Sequence, residues 1–521
     1  MKKTIILIIF LLIAIIAVSG LYFSRLNQSH NVSKQYIADI PANASLLFSF
    51  NNDSIFYNLF KDYKGFEFIL GKEGINELEI LKTTFLENNN FIAATNQQPI
   101  YLSFHNENDS LYWLINMPLK TIDNFDLLEA NFNSIANSKP VENNGISYVE
   151  LSIPSISKKV YASIQPDKAM FSFSKTLIEN SLDQKAEHLS ELFLERFQEN
   201  NNKNNSPLQL YINHNQLEGL FSLIAKKQTG NLHLFESLDG VSMLDMNYKS
   251  DVLMFSGLTS ISSSDSSYLS LFLSQEPVSH QLKNWLPKNT AEVAIYGISD
   301  YTDFHNNLEK LLEKRNEISQ LKEQIRYIQD QNDVVIDDEL LSIWGNEFAK
   351  LTLSSGEDIG LIAIRDSLEY ALIAEKISTI NRDSSSRQFD NSNLLYYSLG
   401  DPFKEFKRPF FTYANGYLLI ANTETTLAAY LENIKDDDDL LIKDENYIRY
   451  NELQSTSSNF SLFIHRENSD AAIERNLNGP FLKNYQNTDS FGFKKFYAFS
   501  LQLSGNGDQF ITNLYGKFIA E

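Results

Sequence analysis

Cysteine is absent from the 521 residues. That removes disulfides, thiolate nucleophiles, zinc–thiolate sites, iron–sulfur clusters and lipid attachment through an N-terminal lipobox cysteine. The absence does not identify a compartment; it requires that an extracytoplasmic chain of this kind be held by its cores, which its length permits. Basic side chains are in short supply as well, 44 Lys and Arg against 66 Asp and Glu, for a net charge of −22. Such a field repels phosphate over most of the surface, so nucleic acid is not an expected partner and broad docking on anionic lipid is disfavoured. Sequences of the form G-x-S-x-G, H-E-x-x-H, G-x-x-x-x-G-K-[ST] and G-x-G-x-x-G are missing. No catalytic residue, cofactor-binding residue or metal ligand is therefore assigned from motifs, and no cofactor is expected.

Long apolar runs are scarce too, with one exception. Thr4 to Phe23 is continuous apolar sequence apart from Thr4, Ser19 and Gly20, and Lys2 and Lys3 precede it. Twenty helical residues rising ~1.5 Å each cover the ~30 Å hydrocarbon core of a bilayer. The run predicts an uncleaved membrane anchor. The competing reading is a signal peptide cleaved after Ala17-Val18-Ser19, although Leu21, Tyr22 and Phe23 carry the apolar stretch past that point. Either way the basic N-terminus stays inside and the bulk of the chain is expected outside a bacterial cytoplasmic membrane, in the periplasm, as a single-pass protein. Polar Asn27–Lys34 reads as a tether.

What is there, above all, is internal repetition. Ile40-Pro41-Ala42-Asn43-Ala44 returns as Leu286-Pro287-Lys288-Asn289-Thr290, and further matches follow in the same order. Pro99–Phe104 and Ser110–Ile115 match Phe348–Leu353 and Ile359–Ile364; Met170–Phe173 matches Leu418–Ala421. Leu210-Tyr211-Ile212 matches Leu462-Phe463-Ile464, and Asp251–Met254 matches Asp508–Ile511. Collinear matches at a spacing that stays near roughly 250 residues indicate a tandem duplication. The expected organisation is an anchor (1–25), a tether (26–37), repeat one (38–260), a connecting segment (261–283) and repeat two (284–521).

Alternating apolar positions predict strands at Ser45–Phe50, Ile146–Leu151, Val160–Gln165, Ala169–Ser174 and Leu208–Asn213, with hairpins at Ile100–Asn116 and Val241–Leu258. Helices are expected at Ile55–Lys61, Ile122–Ile135 and Lys175–Gln198, and from Gln216. Asn415-Gly416 predicts a primed hairpin turn in repeat two. Phe304, Leu308, Leu311, Ile318, Leu321, Ile325 and Ile328 predict one long helix there, packed on its own sheet or presented to a partner. The fold class is α+β, a tandem pair of largely antiparallel sheet domains with interspersed helices behind one N-terminal transmembrane helix.

Asp337-Asp338-Glu339-Leu340-Leu341-Ser342-Ile343-Trp344-Gly345-Asn346-Glu347-Phe348 and the Leu286-Pro287-Lys288-Asn289-Thr290 opening resemble elements of a bacterial family known only as a domain of unknown function. The resemblance implies a secreted or N-terminally anchored protein and no particular activity. Repeat one departs from it, with Thr95-Asn96-Gln97-Gln98 where Trp-Gly-Asn-Glu should fall. Within this motif Trp344, Gly345 and Glu347 are the candidate site residues. A structural reading puts Leu340, Leu341 and Trp344 inside a short helix capped by Asp337 or Asp338 and ended by a left-handed Gly345, with Glu347→Gln nearly silent. A functional reading puts Glu347 in an open cleft as an acid, base or cation ligand.

The eight histidines are scattered, though Asn213-His214 and His465-Arg466 end equivalent strands. Asp436–Asp439 lacks the central glycine and alternating ligands of a calcium loop and reads as solvated. These features point to a non-enzymatic envelope binding or scaffold protein with a protein partner. An envelope hydrolase with a dispersed site, and a carrier of an apolar ligand drawing on 37 Phe and 25 Tyr, are the alternatives.

Overall fold

The computed structural model describes residues 36–51, 98–120, 137–153, 158–201, 206, 208–226, 237–249, 251–262, 266–380, 386–486 and 492–519, with 76, 79–80, 83–84, 94–95 and 234–235. The expected anchor and the helices expected at Ile55–Lys61 and Ile122–Ile135 lie outside these residues. Among the described residues no helix is long and apolar enough to cross a membrane.

The chain is α+β and its sheet is antiparallel. Strands of the first half are β1 (Ala44–Asn51), β2 (Pro99–Glu107), β3 (Ser110–Pro118), β4 (Asn137–Asn143), β5 (Ile146–Ser152), β6 (Val160–Ile164), β7 (Lys168–Ser172), β8 (Leu208–Asn213), β9 (Gly240–Lys249) and β10 (Val252–Ile261). After a two-residue β11 (Val278–Ser279) come β12 (Thr290–Gly297), β13 (Trp344–Leu353), β14 (Asp358–Ile364), β15 (Ser378–Ile380), β16 (Arg387–Phe389), β17 (Phe410–Ala414) and β18 (Tyr417–Ala421). The last are β19 (Ser457–Ser458), which pairs with β11, β20 (Phe460–His465), β21 (Phe496–Asn506) and β22 (Gln509–Phe518).

Hydrogen bonding orders the first half β4-β5-β6-β7-β3-β2-β1-β8-β9-β10. The second half runs β15-β16-β17-β18-β14-β13-β12-β20-β21-β22, the same order strand for strand. Even the irregularity recurs: β1 shifts register between Ala44 and Leu46, β12 between Thr290 and Glu292. Leu46 pairs with Ile212 and Glu292 with Ile464. Three matches shift, those of β2 and β7 by one residue and that of β3 by four. Leu47 faces Ser103 while Val293 faces Leu351, Ser103 faces Leu114 while Leu351 faces Ile359, and Asn116 faces Met170 while Leu361 faces Leu419. A one-residue slip exchanges the two faces of a strand, so burial fixes what sequence similarity left ambiguous.

The halves meet through their last strands. β10 lies antiparallel to β22, with Val252 opposite Lys517, Ser260 opposite Gln509 and Ser256 opposite Asn513 midway. One 20-stranded sheet results.

Local chemistry explains several turns. Asn108 and Asp109 (φ 49° and 57°) close β2–β3, Asn144 and Gly145 (φ 53° and 81°) close β4–β5, and Asn415 and Gly416 (φ 50° and 90°) close β17–β18. Positive φ at both central residues matches the right-handed twist of the strands. β4 escaped the sequence reading because Pro140 sits inside it; an edge strand tolerates the missing donor and Pro blunts the open edge.

Helices α1 (Lys175–Leu182), α2 (Glu191–Asn201) and α3 (Leu217–Ile224) belong to the first half. The segment expected as one helix from Lys175 to Gln198 is thus broken in two, with Asp183 ending α1 in extended conformation. The long helix expected in the second half is broken as well, into α4 (Tyr301–Lys314) and α5 (Ile318–Asn332). Asn316 takes φ 60° between them, which stops the first helix. Further along are α6 (Ser367–Ile377), α7 (Leu394–Leu399), α8 (Glu424–Asn433) and α9 (Glu445–Asn451).

In the second half helices cover both sheet faces. Phe304, Leu308, Ile325 and Ile373 pack on Tyr296, Phe348, Leu418 and Ile420; Leu427, Tyr430, Tyr447 and Tyr450 pack on Val293, Ile295, Leu419 and Phe463. In the first half, Leu177, Ile178, Phe193 and Phe197 cover Leu47, Tyr101, Met170 and Tyr211. Alternation along β12 sends Val293 and Ile295 to one core and Ala294 and Tyr296 to the other.

Candidate functional site

Trp344, Gly345 and Glu347 lie at the start of β13, and all three serve the core. Trp344 is 1 % exposed beside Leu340 and Leu341. It opens the strand, and the helical stretch ahead of it is π-helical over Ile336–Leu340 and α-helical over Leu341–Ile343. Gly345 does not take a left-handed conformation. Its role is close approach: a Cβ there would lie 2.7 Å from the Cβ of Ala363. Asp337 caps no helix side-on; its carboxylate accepts from the Tyr397 hydroxyl at 2.8 Å.

Glu347 is 2 % exposed, not in an open cleft. Its carboxylate accepts from the backbone N–H of Gln281 at 3.0 Å and of Leu282 at 3.1 Å, and from the Tyr417 hydroxyl at 3.1 Å. His280 Nδ1 stands 3.4 Å away. The carboxylate thereby caps the 3₁₀ turn Leu282–Trp285 and pins the connecting segment to β13. Nearby Lys283 donates to the amide oxygens of Asn451 and Gln454, and burial pushes its ammonium down to about 8, with Glu347 pulling the other way.

The histidines ending equivalent strands are also structural. His214 bonds Ser242 Oγ at 2.7 Å, and the chain of hydroxyls continues through Thr259 to Thr512 across the β10–β22 joint. Burial lowers its pKa to about 4. His465 Nδ1 accepts from the backbone of Asn468. Asp436 caps the 3₁₀ turn Asp437–Asp439, and among the described residues no group of three His, Asp or Glu is placed to hold a metal ion.

The break at Asn316 creates what the sequence did not announce, a cleft of about 650 Å³ lined by Tyr301, His305, Glu309, Lys322, Asp337 and Arg365 among others. α4 sets His305 one turn beyond Tyr301, with the rings parallel 6.0 Å apart, and Glu309 one turn further on. α5 brings Lys322 to 2.9 Å from Glu309. Tyr397 of α7 shares its single hydroxyl proton between Asp337, at 2.8 Å, and Glu309, at 3.0 Å. Burial raises the Tyr397 phenol, reinforced by its bond to Asp337. Burial also lifts Glu309, but hydrogen bonds from Lys322 and Tyr397 outweigh it and leave the carboxyl below its ordinary value. His305 is buried; desolvation lowers its pKa against the upward pull of Glu309 and Asp337, which favours the neutral ring. The ring faces the backbone of Ser398, short of good hydrogen-bond geometry, and Nε2 lies 4.0 Å from Glu309. These residues are far apart in sequence, and only the i, i+4 spacing of Tyr301, His305 and Glu309 signalled them.

No family model matches the sequence, and no curated protein matches it. Among solved structures the chain is similar to crystal form I of TP0453, at 12 % identity and a TM-score of 0.26 over 48 % of this chain and 89 % of that one. Crystal form III of TP0453 gives 12 % identity and a TM-score of 0.24 over 47 % and 88 %.

Proposed function

We propose that this chain is a tandem-duplicated bacterial envelope protein, anchored in the cytoplasmic membrane through Thr4–Phe23 with its bulk outside, that binds or scaffolds an envelope protein partner. The common strand order and the bulge common to β1 and β12 support the duplication. The apolar run behind two lysines supports the anchor.

One observation carries the binding role. Asp245, Ser256, Asn513 and Gln502 stand opposite one another in a row across β9, β10, β22 and β21, on one face of the joint. Asp245, Ser256 and Asn513 remain partly exposed. Beside them Leu258 and Ile511, directly paired, are 42 % and 45 % exposed. On that same face the flanks are covered, by α1 and α2 on one side and α8 and α9 on the other. A polar floor with an exposed apolar pair beside it suits a protein surface, since small molecules favour enclosed apolar pockets.

The hydrolase reading has the His305 cleft in its favour. A histidine activating a nucleophile hydrogen-bonds it, and among the described residues no hydroxyl bonds His305. Binding is the better account.

A photo-crosslinking residue at Ser256 or Asn513 of the full chain, in cells, tests this. The expected result is one discrete protein adduct from both positions, absent from a control at exposed Glu432, with the chain in the membrane fraction and its N-terminal sequence intact. A mature chain beginning near Gly20 would replace the anchor with a cleaved signal. No adduct from either position, together with turnover of an ester, glycoside or phosphate that His305→Gln abolishes, would replace binding with hydrolysis.

A further inference from the structure

We propose that the outward face of α6 docks a basic amphipathic helix of another protein, with Leu368, Ala371 and Leu372 as the apolar seat and Glu369 and Glu375 as acceptors for its lysines or arginines. The surface belongs to the second half alone. It goes beyond the floor at the β10–β22 joint and does not depend on the anchor or the duplication.

α6 is apolar on both sides. Tyr370, Ile373, Ala374 and Ile377 face the core and are buried. Leu368, Ala371 and Leu372, at i, i+3 and i+4, form a stripe on the opposite side and are exposed. Leu368 at 80 % and Leu372 at 68 % are the two most exposed large apolar side chains among the described residues. A surface helix ordinarily turns polar groups outward, and one that is apolar all round is built to be covered. The stripe has apolar neighbours. Lys376 donates to the Asp333 carbonyl at 3.0 Å and to Glu339 at 3.1 Å, which brings exposed Val335 beside α6. The exposed ring of Tyr413 lies 5.3 Å from that of Tyr370, and exposed Ile380 ends the strand that follows the helix.

Charge selects the occupant. Glu369 and Glu375 flank the stripe, are exposed, and enter no ion pair among the described residues. Lys376, the only basic residue of α6, is already held by Glu339. A lysine or arginine arriving at the rim gains those two carboxylates, in a chain of net charge −22. Anionic headgroups would be repelled by them, and two copies of α6 face to face would bring like charges together. An amphipathic helix supplies apolar side chains at the spacing of Leu368 and Leu372, with its cations beside them.

The chain has no cysteine, so Ala371→Cys carries a single environment-sensitive dye at the centre of the stripe. The full chain in phosphatidylcholine nanodiscs is titrated with an amphipathic leucine–lysine peptide about three turns long, and with its leucine–glutamate counterpart. The expected result is water-like emission before peptide is added and a saturable blue shift with the leucine–lysine peptide alone. In that labelled background, Leu368→Gln with Leu372→Gln should weaken binding about tenfold, with an unchanged melting temperature. Glu369→Gln with Glu375→Gln keeps the apolar seat and should weaken binding about threefold. Emission already blue-shifted without peptide would give the face to the bilayer and overturn the proposal. So would no saturable shift, an equal response to the leucine–glutamate peptide, or undiminished affinity in either double variant.

Discussion

At the scale of single residues, burial decides what the Trp344-Gly345-Asn346-Glu347 motif does. Glu347 meets two backbone donors in the interior. Glu347→Gln turns an amide donor toward one of them, so the substitution that looked silent from sequence is expected to cost about 1–3 kcal/mol. Urea unfolding monitored by tryptophan fluorescence would show it, as a lower midpoint with an unchanged slope. Trp344→Ala should cost about 3–5 kcal/mol by the same measurement, and Trp344→Phe much less, because the indole nitrogen has no partner to lose.

The buried histidines set an acid limit. Burial lowers His214 to about 4 and His105 to about 3, and both side chains hydrogen-bond as neutral rings. Their unfolded values lie near 6.5. Below that pH the unfolded chain binds protons that the folded chain refuses, so stability is full above about 6.5 and falls with acid down to the folded values. Each ring should contribute a slope of about 1.4 kcal/mol per pH unit in that window. Unfolding midpoints at pH 7, 6 and 5 should fall, and less steeply in His214→Gln; an unchanged slope would mean that His214 titrates normally.

At the scale of elements, the decisive event is a broken helix. Apolar residues recur with helical spacing from Phe304 to Ile328, and nothing in that period marks the stop. Asn316 supplies it by entering the left-handed region, where a short polar side chain is tolerated and a β-branched one is not. Asn316→Gly should therefore hold or slightly raise stability, whereas Asn316→Val should lower it by about 1–2 kcal/mol. Calorimetric unfolding would check both. Hairpin turns were legible for the opposite reason: Asn415-Gly416 encodes its geometry in two adjacent residues.

At the scale of the whole molecule, the antiparallel β10–β22 joint makes one sheet of two halves. Residues of the first half, Leu234, Phe235 and Leu238, enter the core under α4. The described region should therefore unfold in one calorimetric transition. Gly257 is the weak point of that continuity, since a Cβ there would sit 2.0 Å from the carbonyl oxygen of Met243. Gly257→Val should break β9 from β10 and split the transition in two; two transitions in the unmodified chain would show that the joint transmits nothing.

The sequence by itself determined the α+β class, most hairpins and the helical faces, because these follow from backbone periods and turn residues that act within a few positions. It also carried the collinear matches between the halves. Tertiary structure decided the register of β2, β3 and β7, where alternative slips look equally similar and only the cores choose between them. It decided that Glu347 is enclosed, because the connecting segment that encloses it lies more than sixty residues away in the chain. Tertiary structure alone assembled His305, Asp337 and Tyr397, whose side chains come from different elements and meet only once the helix has broken at Asn316.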